Sequence, residues 1–350
     1  MFTPFPARRQ AKPNGVVETL SAGYAAINHQ LWILLIPIAL DVFLWLGPHV
    51  SYSPLVDPAL ARGSAWVRQI GAVSRRAPSS PELNANGNGN GNGNGSVSVD
   101  DVRQSLMSLA TDTNVLSLLA RGPLTLPSVA VLLGGIGALS FVTSWGEGAA
   151  LLVGSLLGGL LIGGFFYAAI AQQVRGAGTN PVAAGLSVPR SLARVLGLFL
   201  VLLGFGLLLG LPVLVVVGVM ALVAPVLAAF GMALAIVALL LVDVYLYFAL
   251  NAIFVSRVGP LAAVQRSVAV VRKHLWPTVA LALLSWVILA GMDRVWELLA
   301  ANVQAPFGVA LGMLGNAYIA SGLIAASMIF YHERADPGVG SLPAAGVAAG

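Results

Sequence analysis

The chain has 350 residues, 58% of them apolar and only 9% charged, with a mean hydropathy of +0.88. A soluble domain carries roughly 25% charged residues, so a soluble globular protein is excluded. The absence of cysteine excludes disulfides, thiolate metal sites and a cysteine nucleophile. The net charge of +5 suits basic residues facing anionic headgroups better than a nucleic-acid surface.

Residues 1–29 read as an N-terminal tail followed by an interfacial helix. The tail carries Arg8, Arg9 and Lys12 but no short hydrophobic core with a small-residue cleavage pattern, so no removable signal peptide is expected. Over 16–35, Val16, Leu20, Ile27 and Leu31 fall on one helical face. That spacing predicts a helix lying on the headgroups before Leu31 and Trp32 lead the chain inward. The first span, 30–47, contains the run LIPIALDVFLWLG, broken by Asp41.

A long loop, 48–124, follows. Its Asn-Gly alternation at 84–95 cannot bury apolar surface and reads as a flexible linker between two amphipathic segments, 55–70 and 102–120. The remaining bundle, 125–331, holds apolar spans near 148–171, 194–222, 226–256, 275–298 and 307–331. The stretch 125–142 is shorter and interrupted at Gly134, Gly135 and Gly137; it either crosses or only dips inward. The fold class is therefore an all-α polytopic transmembrane bundle of six spans, with seven as the alternative. Residues 332–350 read as a flexible tail.

Charge placement orients the bundle, because Lys and Arg in short loops favour the cytoplasmic side. Arg175, Arg190 and Arg194 lie in one connection, Arg257, Arg266, Arg272 and Lys273 in another, and Arg334 after the last span. The C-terminus is expected in the cytoplasm, and six spans put the N-terminus there too. A second amphipathic elbow spans 260–284, with Leu261, Val264, Val268, Val271 and Leu275 on its apolar face, and Pro189 would start a third. Gly154/Gly158, Gly159/Gly163 and Gly206/Gly210 are spaced to let helices approach closely, and Pro212 is expected to kink its span.

Polar residues inside the spans are the candidate site. Counted at about 1.5 Å per residue from the inner boundary, Asp41, Asp243, Asn316 and Arg294 lie roughly 18, 21, 22 and 28 Å up. Four side chains from four spans thus share one band. Ionised groups at that depth turn inward and find partners. Arg294 has Asp41 or Asp243 across helices, or Asp293 and Glu297 on its own. With several acids and one cation, a carboxylate is left to take a proton or an external cation; the alternative is a structural hydrogen-bonded role for Asp41 and Asp243, with Asp293 to Glu297 as the wet end of a helix. Asp243, Tyr247 and Asn251 recur at i,i+4 and share a face.

No zinc-protease, nucleotide-loop, nucleophile-elbow or dinucleotide motif occurs, and the four histidines fall near span ends; no cofactor, metal or catalytic residue is expected. Partners are the lipid bilayer and an unspecified membrane protein or small molecule. The elbow Gly259-Pro260-Leu261-Ala262-Ala263-Val264-x-x-Ser267, followed by a basic turn and Leu275-Trp276, resembles bacterial helical membrane proteins related to the membrane domain of glycerophosphodiester phosphodiesterases and their uncharacterised relatives. The resemblance covers the last two-fifths of the chain and the N-terminal elbow. It implies about six helices with cytoplasmic elbows and transfers no catalytic residue; a soluble phosphodiesterase domain is not expected in the short stretch after the last span. The leading expectation is a non-enzymatic scaffold of the cytoplasmic membrane, in envelope or lipid processes. A proton- or cation-coupled transporter using Asp41 and Asp243 ranks second, and an intramembrane enzyme third.

Overall fold

The structure, a computed structural model, describes residues 14–55, 114–176, 180–303 and 305–335. The predicted Asn-Gly linker, most of its two flanking segments and residues 1–13 and 336–350 lie outside the described residues; the first four residues of the predicted C-terminal tail, 332–335, instead continue the last helix. The rest is an all-α bundle. Trp145–Val174, Pro181–Ala221, Val226–Val255, Leu275–Asn302 and Phe307–Ala335 are each long and apolar enough to cross a membrane. Val16–Asn28 and Leu31–Leu46 together make a sixth candidate, bent by 90°. Leu200, Leu214 and Leu239 are about as exposed as one another, at 69%, 70% and 69%, and many neighbours match them. Such continuous aliphatic surface suits hydrocarbon, not water.

Helix α1 (Val16–Asn28) is amphipathic, and protein takes up its apolar face. Thr19, Leu20, Gly23 and Ile27 are buried, and the helix runs antiparallel along the second half of the last helix, α12 (Phe307–Ala335). Asn14 bonds Glu333 and Arg334 at one end, and Tyr318 donates to Asn28 at the other. The chain then bends through a 3-10 turn, Leu31–Leu34, into α2 (Leu35–Leu46).

The question of 125–142 is answered by its hydrogen bonds. From the short helix α3 (Leu118–Arg121) the chain descends beside α5 (Trp145–Val174) as far as Thr125, whose carbonyl accepts from Tyr167. It turns through one short helix, α4 (Ala130–Leu133), and climbs back to strand β2 (Leu139–Phe141). That strand pairs in parallel with β1 (His49–Ser51), just after α2, with His49 opposite Leu139. The segment dips and returns; it does not cross. Irregular backbone at such depth needs protein around it, and Leu124, Leu126, Val129 and Ala130 are all buried. The glycines of α5 make this possible. A Cβ at Gly159 would stand 2.7 Å from the Leu119 carbonyl, and one at Gly163 2.7 Å from Leu124. The predicted close approach therefore serves a re-entrant loop instead of a second spanning helix.

The next helix starts earlier than Pro189 predicts. Asn180 caps it, its Oδ1 accepting from the Val182 and Ala183 amides, and Pro181 takes the first position. Pro189 sits inside α6 (Pro181–Phe205), four residues after Gly185. A π turn, Gly206–Gly210, absorbs the missing amide of Pro212 and joins α6 to α7 (Leu211–Val223).

Helix α8 (Pro225–Leu246) breaks before α9 (Ala249–Val255), within a stretch read as one span. Ser267 of α10 (Pro260–Lys273) occupies the break: its hydroxyl donates to the Tyr245 carbonyl at 2.7 Å and accepts the Phe248 amide at 3.1 Å. This draws Ala263, Ser267, Val270 and Val271 inward and leaves Leu261 exposed, so the buried stripe lies beside the predicted one. Replacing Ser267 with Ala strands two backbone groups. We expect a loss of about 1–3 kcal/mol, measured as a lowered unfolding midpoint in detergent; an unchanged midpoint rules out the bridging role.

Helices α5, α9 and α12 pack together around a cluster of aromatic side chains. Phe166, Phe248, Phe330 and Tyr331 are fully buried there, and Phe248 stacks on Phe330 at 5.3 Å. Arg175, just beyond α5, closes that end of α9 by donating to the Phe254 carbonyl at 2.6 Å. Burial, and then neighbouring Arg257, lowers its pKa to about 10, so it stays charged at neutral pH.

Candidate functional site

A cavity of about 380 Å³ lies inside the bundle, between the α8–α9 break, α11 (Leu275–Asn302), α12, α5 and the re-entrant loop. Helical periodicity explains its lining. On α11, Ser285, Leu289 and Asp293 recur every four residues; on α12, Asn316, Ala320, Leu323, Ile324 and Ser327 follow the 4-3-1-3 rhythm of one face. The break contributes Tyr247, Leu250 and Asn251, the loop Thr125 to Ser128, and α5 Tyr167. From Asn316 to Ser327 the polar lining runs about 16 Å along the helix.

Its floor is closed by hydrogen bonds. Asn251 Nδ2 donates to Ser327 Oγ at 3.1 Å, Ser327 Oγ to the Ile324 carbonyl at 2.8 Å, and Tyr167 to the Thr125 carbonyl at 3.2 Å. At the other end Asp293 is exposed and forms the mouth. Between them stands Asn316, only 6% exposed. Among the described residues nothing hydrogen-bonds its side-chain amide, which faces the cavity. Its amide opens onto the cavity, where water or a ligand supplies the hydrogen bonds that no described side chain makes. Among the described residues, no Lys, Arg or His lines the space.

The polar residues singled out in the sequence fall in four places. Asn316, Tyr247, Asn251 and Asp293 meet around the cavity. Asp41 stands one layer behind its wall, fully buried: Oδ1 accepts from the Ser128 hydroxyl and the Ala130 amide (3.1 Å), and Oδ2 from the Val129 amide at 3.1 Å. It anchors the loop whose residues 125–128 line the cavity. Arg294 points away, its side chain 79% exposed, and pairs with Glu297 on its own helix at 2.6 Å. Asp243 is exposed on α8 and lies outside the cavity lining; the helix break at Tyr247 and Phe248 interrupts the face it was expected to share with Asn251. Asp41 and Asp243 therefore do not share a site.

Ser285, Ser327, Tyr167 and Thr125 complete the cavity without having been singled out. The i,i+4,i+8 line from Ser285 to Asp293 was the available signal. Among the described residues, no group of three or more His, Asp or Glu comes together as a metal site. The chain matches no protein-family model, and neither the curated proteins nor the solved structures contain a match to it.

Proposed function

We propose that this multi-pass protein belongs to the cytoplasmic membrane and binds a small molecule in the intramembrane cavity, in the manner of a permease. The observation that carries the reading is Asn316: on a largely buried residue, an amide without a partner among the described residues opens onto a space whose walls mix hydroxyls and a second amide with apolar side chains. The short basic connections support an orientation with the Arg175, Lys273 and Arg334 end and both termini in the cytoplasm and the Asp293 mouth toward the opposite side. The likeness of the 259–267 elbow to membrane domains of glycerophosphodiester phosphodiesterases fits this orientation.

The chain's lack of cysteine gives a clean test. Asn316→Cys is expected to react with a water-soluble methanethiosulfonate reagent in reconstituted vesicles, whereas Leu239→Cys, on the lipid face, stays unmodified. An unreactive Asn316→Cys in folded protein removes the binding reading.

One observation favours a scaffold as a second reading. Gly206 and Gly210 of the α6–α7 helix have open space where a Cβ would sit, and small residues spaced in this way receive a partner helix. Cross-linking from Gly206→Cys to a second polypeptide in native membranes supports that role; a lipid-only environment removes it.

A further inference from the structure

We infer that the ligand of the cavity is an uncharged molecule bearing several hydroxyl groups, about the size of a six-carbon polyol. This rests on the cavity being a binding site, and it follows from the chemistry of the walls. Asn316 offers two donors and an acceptor with no protein competitor, and Ser285 and Tyr247 bring hydroxyls to the same space. Amides and hydroxyls both donate and accept, which is the pattern a ligand hydroxyl also presents. Leu250, Leu289 and Leu323 supply apolar wall between them for a carbon skeleton. The volume, about 380 Å³, falls at the small end of ligand pockets.

Charge excludes the other classes. An anion finds no Lys, Arg or His among the described residues of the lining and meets Asp293 at the mouth. A cation finds one carboxylate, and that one is exposed, so water weakens the attraction while the deep part of the cavity offers no counter-charge. A neutral hydroxylated molecule exchanges its water hydrogen bonds for protein ones at Asn316, Ser285 and Tyr247 without carrying charge into the bilayer. The same chemistry belongs to a free polyol and to a sugar headgroup on a neutral lipid.

The experiment uses one carbon skeleton in three charge states. Sorbitol, glucamine and gluconate are offered to the full chain in nanodiscs, and binding is followed by competition against radiolabelled sorbitol. Sorbitol is expected to bind at least tenfold more tightly than either charged relative. Asn316→Ala should weaken it about tenfold, the loss expected of hydrogen bonds to an uncharged partner; Ser285→Ala, a smaller change, serves if the first variant misfolds. Glucamine or gluconate binding as well as sorbitol overturns the neutral class and leaves the binding site standing. Failure of all three to bind overturns the class too, and reactivity of Asn316→Cys then decides separately whether the site survives. A monoglucosyl diacylglycerol that displaces sorbitol identifies a lipid-borne polyol, and one that does not identifies a free one; both retain the class.

Discussion

Asp41→Ala is expected to destabilise the protein by about 2–5 kcal/mol, because two buried amides and the part-buried Ser128 hydroxyl lose their acceptor and each stranded buried group costs roughly 1–3 kcal/mol. The Ser128 hydroxyl and the Val129 and Ala130 amides all end on this carboxylate. The two amides have no helical partner, since they open a helix of four residues, Ala130–Leu133. Asp41→Asn retains one acceptor oxygen and turns an amine toward donors, so roughly half that loss is expected. Unfolding midpoints in detergent should order the proteins wild type, Asn, Ala. A second readout separates a local effect from a global one: in the Ala variant, a cysteine placed at Val131 should react faster with a soluble maleimide, because the re-entrant loop has lost its anchor. Equal midpoints and equal reactivity would show that the loop is held by packing alone.

The sequence discloses the membrane class and most of the spans because lipid imposes a demand that composition cannot hide: about twenty consecutive apolar residues per crossing. Arg294 with Glu297 was equally legible, being a local i,i+3 pair. Asp41 was visible as a charge out of place, but its partners were not. They lie 87 to 89 residues away, and two are backbone amides, which carry no side-chain signature. Counting residues from a boundary gives a height, not a direction around the bundle. Asp243 and Asn316 came out at nearly the same height, yet one is exposed on α8 and the other faces the cavity. What separates them is the break after Tyr247, stabilised by Ser267 from twenty residues downstream. A single serine in an amphipathic helix gives no warning of that.

Glycine spacing misled for a related reason. Gly206 and Gly210 match the helix-approach pattern, yet no described atom lies within 4 Å of a Cβ there, whereas Gly23, in no such motif, packs against the backbone of α12. A Cβ at Gly23 would lie 2.5 Å from the Gly322 carbonyl oxygen and 2.6 Å from the Ala326 amide nitrogen. Both are backbone atoms of a helix and cannot turn aside as a side chain can. Gly23→Ala must therefore push α1 outward, at a cost of about 1–3 kcal/mol, and Gly23→Leu by a larger displacement that also parts Tyr24 from Tyr318 and Asn28 from the Tyr318 hydroxyl. Gly210→Ala is the matched control: it meets no atom within 4 Å and gains helix propensity of up to about 1 kcal/mol. The two alanine variants should move the unfolding midpoint in opposite directions, with limited proteolysis cutting near residue 15 in the Gly23 variant only. If Gly23→Ala instead tracks Gly210→Ala, α1 does not lie in the groove of α12, and the bent first span must be placed elsewhere.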